Sequence, residues 1–264
     1  MTAKVRDIVK ILNDMAPPAL AEEWDNVGLL VGRQDAPVKR LMVALDFSES
    51  VLEQAIRDKA DMVVTHHPVI FKGVRQLTDG HWHTRLLLDA AANHIAVYSA
   101  HTNLDSAAGG VNDVLARILG LEHVEGLNGE HGNLAGIGRI GSLPVPMALA
   151  EFAGNVKKIL KLERVAYVDG GRTVRRVAVC GGSGMDFLDA VREAGADTFV
   201  TGDVKYHEAQ EAAGLGINLI DAGHQGTELP VVNSLADRLA LRLTKEDYAV
   251  DIRIASEAPV IRFL

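Results

Sequence analysis

Two stretches of this 264-residue sequence match each other without a gap at a constant offset of 136 positions. The segments matched at this offset are 39–43 with 175–179 and 59–65 with 195–201. The connection that follows is shorter in the second half, and after it residues 95–100 align with 217–222. Any two strand–helix–strand units share apolar positions, so those matches alone carry little weight. The match also keeps an Ala-Asp pair and a closing Thr, which favours an internal duplication.

Apolar runs of strand length alternate with helical patterns in both halves. Residues 62–65 are apolar without alternation, which indicates a strand buried on both faces, and Ser48 is placed to cap a helix over 49–59. The alternation predicts an α/β fold with largely parallel sheets, built as two similar α/β lobes. We expect residues 1–125 to form the first lobe. Residues 126–264 form the second, which includes the glycine-rich connection.

Composition and charge exclude several classes of protein. The net charge of −8 argues against a nucleic-acid-binding surface. The single cysteine, Cys180, rules out a disulfide within the chain and favours a reducing compartment. The N-terminal pattern lacks the apolar core of a signal peptide, and no stretch approaches the ~18 apolar residues of a membrane span. We therefore expect a cytoplasmic protein with a small-molecule substrate and neither a nucleic-acid nor a membrane partner.

Histidine and acidic residues follow the strand ends in both halves. His66 and His67 follow the strand at 62–65, and Asp105 follows the matched second strand of the first half. His224 and Glu228 follow its counterpart, four residues apart, and so share one face of a helical turn. Ligands of open α/β sheets bind beyond the carboxyl ends of the strands. If a pseudo-twofold relates the halves, these ends face each other across a metal cleft.

Imidazole and carboxylate groups are the ligands expected for zinc, manganese or iron. Adjacent histidines at a strand end diverge and can reach two ions, and a carboxylate can bridge them. A two-metal site with ions about 3.5–4 Å apart activates water. Most histidines are hydrogen-bonded core or surface residues, so we assign no role to His81, His83, His94, His123 and His131.

Three further residues are second choices. His101 is a candidate ligand, and Asp203 is a candidate outer acceptor for a ligand histidine. His207 is either a proton carrier near neutral pH or a residue on a helix face.

The glycine run 181–184 joins a predicted strand to a helix. Its backbone amides could cradle a phosphate, but glycines of a tight turn explain the run equally well. The sequence has neither a serine nucleophile elbow nor a dinucleotide-binding fingerprint. Metal-assisted chemistry is therefore the leading class.

Five motifs together resemble the Nif-three-like family, also called GTP cyclohydrolase I type 2 homologues. They cover nearly the whole chain in order. The motifs are EWDNVGL at 23–29, THHP at 65–68, HTNLD at 101–105, TGDVKYH at 201–207, and DAGH at 221–224 with Thr227-Glu228.

The resemblance implies a dinuclear site with two divalent metal ions per chain, zinc, manganese or iron, and a ring-shaped homohexamer. Its ligand positions fall on His66, His67, Asp105, His224 and Glu228. Longer members carry an extra domain between the halves, for which the connection here is too short.

The implied function is a metal-dependent hydrolase acting on a purine nucleotide or related heterocycle, with GTP as the candidate substrate. Asp203 and His207 are the candidate catalytic residues. The alternative is a non-catalytic metal-binding, cofactor-binding or scaffold protein that uses the same ligands.

Overall fold

The computed structural model describes residues 1–127 and 136–264. His131, considered above, lies outside the described residues. The strands are β1 (Ala3–Lys4), β2 (Gly28–Val31), β3 (Pro37–Val38), β4 (Arg40–Ala44), β5 (Met62–Thr65), β6 (Ala96–Ser99), β7 (Glu122–Gly126), β8 (Arg139–Met147), β9 (Ala166–Val168), β10 (Val174–Ser183), β11 (Thr198–Gly202), β12 (Asn218–Asp221) and β13 (Asp251–Ile254).

Helices alternate with these strands. They are α1 (Val5–Met15), α2 (Glu49–Arg57), α3 (Trp82–Ala92), α4 (Thr102–Ser106), α5 (Val111–Ile118), α6 (Leu149–Ile159), α7 (Leu188–Glu193), α8 (Tyr206–Gly214), α9 (His224–Glu228) and α10 (Pro230–Lys245), with 3-10 turns at Pro18–Leu20 and Met185–Phe187. Within the described ranges, no helix is both long enough and apolar enough to cross a bilayer.

The chain divides by packing into two compact units. The first comprises Met1–Leu104 and Val232–Val260, and the second comprises Asp105–Val231 and Ile261–Leu264. The division at residue 125 is a boundary between sequence repeats and stays a prediction. By packing, a C-terminal segment belongs with the first unit, where β13 pairs in parallel with β4.

The first unit contains a five-stranded sheet in the order β13-β4-β5-β6-β2. The first four strands are parallel, and β2 is antiparallel to β6 at the edge. All four residues of β5 are buried, as the lack of alternation predicts. Leu52 of α2 and Leu87 of α3 pack with Val63 of β5 in one core cluster. Ser48 caps α2 by accepting a hydrogen bond from the amide of Val51 at 3.3 Å, which confirms its predicted role.

The second unit contains a six-stranded sheet in the order β7-β8-β10-β11-β12-β9. Strands β10, β11 and β12 are parallel, and the others join antiparallel. Val177, Val200 and Ile220 from the three parallel strands are fully buried in a single cluster. The glycine-rich connection between the two halves contributes β7 and the nine-residue β8 to this sheet.

Strand register confirms two similar lobes built by duplication. In the first lobe Leu41 pairs with Met62, and Met62 pairs with Ala96. In the second lobe the matched residues pair in the same way, Val177 with Thr198 and Thr198 with Asn218.

The Asp of the repeated Ala-Asp pair has the same task in each lobe. Asp61 Oδ2 accepts from the amides of Lys39 and Arg40 at 2.7 and 2.9 Å. Asp197 Oδ2 accepts from the amide of Arg176 at 2.7 Å. In each lobe this carboxylate ties the start of the first parallel strand to the start of the second, which explains why the repeat keeps it.

The C-terminal segment also fastens the carboxyl end of β4. Glu257 accepts hydrogen bonds from the amides of Leu45 and Asp46, at 2.7 and 2.8 Å. Burial raises the pKa of Glu257 and the nearby Asp46 carboxylate raises it further, while the two amides oppose the shift. Glu257 therefore fixes the backbone from which the Asp46 side chain projects.

Replacing Glu257 with alanine should lower the free energy of unfolding by about 1–3 kcal/mol, because two half-buried amides lose their acceptor. Urea unfolding of Glu257→Ala beside the parent protein measures this. Glu53→Ala is the control, since Glu53 is exposed on α2 of the same unit. Equal stability of the two variants would show that the hydrogen bonds to Glu257 contribute nothing to the free energy of unfolding.

Candidate metal centre

In the first unit, the carboxyl ends of β4, β5 and β6 bring histidines together. These strands are parallel and in register, so the segments that follow them leave the sheet at one edge. The amides of His66 and His67 both donate to the carbonyl of Leu45, at 3.2 and 3.0 Å. This keeps both histidines against the end of β4 after β5 has finished.

Three imidazoles form a cluster at this edge. The ring centroids of His66 and His67 lie 4.9 Å apart, and that of His101 lies 5.2 Å from His66 and 5.7 Å from His67. One ring nitrogen from each lies within 4.8 Å of the others. His101, a second choice by sequence, thus joins the two leading candidates.

Each ring of this cluster has Nδ1 held by an oxygen. His66 Nδ1 lies 2.8 Å from the carbonyl of Ala100, His67 Nδ1 lies 2.8 Å from Asp46 Oδ1, and His101 Nδ1 lies 2.9 Å from Asp25 Oδ1. A carbonyl or an ionised carboxylate can only accept, so Nδ1 carries the proton. The lone pair of each neutral ring is then on Nε2, the arrangement that metal-binding histidines use.

Asp25 is the most strongly perturbed of these acceptors. Its side chain is fully buried and also accepts from the amide and hydroxyl of Thr102, at 3.0 and 2.5 Å. Burial alone would raise the pKa of Asp25, but the hydrogen bonds from His101 and Thr102 outweigh it and hold the pKa far below its usual range. Asp25 therefore stays ionised and keeps the proton of His101 on Nδ1.

In the second unit, His224 and Glu228 lie on the one-turn helix α9. Gly223 precedes the helix with φ of +75°, and His224 Nε2 lies 3.2 Å from Glu228 Oε2. His224 Nδ1 lies 2.7 Å from Asp203 Oδ2. Asp203 follows β11 with φ of +57°, an uncommon conformation for a residue other than glycine. His224 thus repeats the pattern of the other unit, an imidazole whose Nδ1 faces an oxygen.

Asp105 lies on the short helix α4, which follows β6. It is buried, and its carbonyl accepts from Asn112 Nδ2 at 3.1 Å. Burial raises the pKa of the Cys180 thiol, and the charges of Asp105 and Glu228 raise it further. The two carboxylates therefore act on the same buried part of this unit, and Cys180 stays a protonated strand residue.

The glycine run after β10 serves close packing. A Cβ on Gly182, which has φ of +67°, would overlap the carboxylate of Glu228 and come within 3.3 Å of His224 Cε1. The amides of Gly181, Gly182 and Gly184 donate to protein side chains, Asn112 Oδ1, Thr227 Oγ1 and Thr201 Oγ1, at 2.9, 2.9 and 3.0 Å. The structure therefore favours the tight-turn interpretation over a phosphate cradle.

His207 lies exposed on α8, with Nδ1 3.1 Å from Gln210 Oε1. Sequence reasoning missed the roles of Asp25 and Asp46, although Asp25 is part of a quoted motif. Their partners are 76 and 21 residues away along the chain, so no local spacing reveals the contacts.

Comparison with known proteins gives one family. The family model described as Duf34/NIF3 (NGG1p interacting factor 3) matches residues 3–259. The chain is 39% identical over 248 residues to a GTP cyclohydrolase 1 type 2 homolog of Clostridium acetobutylicum, a match covering 93% of this chain and 92% of that protein. It is 30% identical to NIF3-like protein 1 of Drosophila melanogaster, covering 92% of this chain and 84% of the relative.

Solved structures show the same fold. A hypothetical protein of Staphylococcus aureus superposes with a TM-score of 0.94 at 28% identity, over 100% of both chains. The reduced form of HcgD from Methanocaldococcus jannaschii gives a TM-score of 0.81 at 30% identity, over 96% of this chain and 98% of that one.

A methyl group at position 182 tests the packing around Glu228. Gly182→Ala should displace the Glu228 carboxylate and reduce the divalent metal that the protein retains after dialysis, measured by mass spectrometry of the metal. Gly195→Ala is the matched control, since Gly195 has φ of +73° with open space around its Cβ position. Both variants lose about 1–2 kcal/mol for the left-handed backbone. Equal metal retention in the two would contradict a role for Gly182 beside Glu228.

Proposed function

Since the chain belongs to the Duf34/NIF3 family, we propose that it is a metal-dependent hydrolase acting on a purine nucleotide or a related heterocycle. The observation that carries the proposal is the common orientation of four imidazoles. His66, His67, His101 and His224 each have Nδ1 against an oxygen. Such an arrangement places the lone pair of the neutral ring on Nε2, as in metal-binding histidines.

The proposed ligands of two divalent ions are His66, His67, Asp105, His224 and Glu228. Nitrogen and oxygen donors suit zinc, manganese or iron. The buried carboxylates of Asp105 and Glu228 fit such ions, because buried carboxylates are normally paired with a cation. When bound, two ions supply Lewis acidity and lower the pKa of water.

The protein groups around these ligands have separate tasks in this proposal. Asp46 and Asp203 keep the proton of His67 and His224 on Nδ1 and orient the rings. Asp203 is also a candidate for moving a proton, because it is exposed and touches a proposed ligand. His207 is the weaker candidate, since its contact is with Gln210 on the surface of α8.

GTP is the candidate substrate. The name of the clostridial relative supports it. Hydrolysis at C8 of guanine adds one water to open the five-membered ring, and a second water releases C8 as formate. Exposed Lys72 and Arg75 are candidates for neutralising the triphosphate.

Replacing Glu228 with alanine should reduce formate release from GTP to the level measured without protein. The assay uses protein reconstituted with zinc, manganese or iron(II), and metal content is measured on the same samples. Glu211→Ala is the control, because Glu211 is exposed on α8.

Full activity in a metal-free Glu228→Ala protein would refute the proposal. A parent protein that holds metal and releases no formate would favour the non-catalytic metal-binding or cofactor-binding alternative.

Homohexameric assembly belongs to the same proposal and is supported by the family resemblance. A cytoplasmic location also belongs to it and is supported by the single cysteine. Light scattering on the parent protein should give a mass six times that of the 28.3 kDa chain. A monomer or dimer at the concentration used for assay would contradict the hexamer.

A further inference from the structure

Two exposed aromatic rings lie beside the imidazole cluster of the first unit. The ring centroids of Trp24 and Phe71 are 5.8 Å apart, and they lie 6.1 and 6.3 Å from that of His101. Trp24 is 59% exposed and Phe71 is 48% exposed. Neighbouring exposed aromatic side chains are informative, because a folded chain usually covers such surface unless it binds something.

Both rings are held in place by their neighbours in sequence. Asp25, next to Trp24, is buried and bonded to His101 and Thr102. Asn26 Nδ2 donates to the carbonyl of Ile70, the residue before Phe71, at 2.5 Å. These hydrogen bonds anchor the backbone next to each ring beside the cluster.

We propose that Trp24 and Phe71 form a stacking wall that binds the planar ring of the substrate beside the histidines. This inference rests on the proposed function and adds to it the residues that select an aromatic heterocycle. Base–aromatic stacking accepts any planar ring, so the wall supplies affinity for the ring system itself. The proposed metal ligands His66 and His67 lie in the adjacent cluster. Exposed Lys72 follows Phe71 directly, where it can meet a negatively charged substituent.

The protein has two tryptophans, Trp24 and Trp82, which makes a direct test possible. In a Trp82→Phe background, Trp24 is the sole indole and its fluorescence reports on its own surroundings. GTP and guanosine should quench this fluorescence, whereas inorganic triphosphate, which has no ring, should not. The titrations are run on metal-free and metal-loaded protein.

Substitution then measures the contribution to binding. In calorimetric titration with GTP, Trp24→Leu should raise the Kd about tenfold, as expected for one lost stacking partner. Trp24→Phe should restore most of the affinity, because it keeps an aromatic face. Trp82→Leu is the matched control, since Trp82 is 70% exposed and contacts His83 instead. Metal content should stay that of the parent in all three variants.

Three results would contradict the proposal that Trp24 and Phe71 stack on the planar ring of the substrate. They are the absence of quenching by GTP and guanosine in both metal states, an unchanged Kd for GTP in Trp24→Leu, and a change of solution mass in Trp24→Leu. The last would mean that the rings form an interface between copies of the chain. Quenching without formate release would instead support stacking of the ring on Trp24 and Phe71 and contradict the hydrolase proposal.

Discussion

The contact between imidazole Nδ1 and an oxygen acceptor is the interaction on which the candidate site depends. A neutral histidine has two tautomers, and only a fixed acceptor decides which nitrogen carries the lone pair. In the first lobe the neighbouring strands provide acceptors. Asp46 follows β4 and holds His67, while Ala100 follows β6 and holds His66. Because parallel strands end at the same edge, the residues after β4 and β6 can provide hydrogen-bond acceptors for the histidines after β5. The tautomers of these histidines therefore follow from the topology of the sheet.

Sequence could predict the parts of this arrangement that local pattern controls. The buried strand that precedes His66 and His67 and the cap at Ser48 are visible in short windows of sequence. The repeated frame is visible when segments 136 positions apart are compared. The acceptors are not, because Asp25 reaches its histidine over 76 residues and an acidic residue in a polar motif has no periodicity to mark it. The pairing of β7 and β8 into the second sheet could not be predicted either, since a glycine-rich stretch favours turns until sheet pairing stabilises it.

The two lobes share a frame but differ in chemistry, and packing gives one reason. The residue matched to His66 is Gly202. A Cβ there would lie 2.6 Å from the backbone of Gly223 and His224, so no imidazole can project from that position in the second lobe. The histidine of this lobe comes instead from His224, on the segment whose close approach excludes a side chain at 202. The duplicated strand ends thus carry different side chains, because the backbone of the second lobe approaches too closely for a side chain at position 202.

The structural repeat is longer than the sequence repeat, which bears on Trp24. Strand β2 pairs antiparallel with β6 through Leu29 and Tyr98, and β9 pairs in the same way with β12 through Tyr167 and Ile220, the counterpart of Tyr98. Counting back along the sequence from these edge strands, the second lobe has Leu162 and the exposed Glu163 at the positions of Trp24 and Asp25. The second lobe builds its edge without an indole or a buried acid at these positions, so the fold itself does not require them. Their presence in the lobe that clusters three imidazoles, with the acid bonded to one ring and the indole against it, is what a binding role predicts and a purely structural role leaves unexplained.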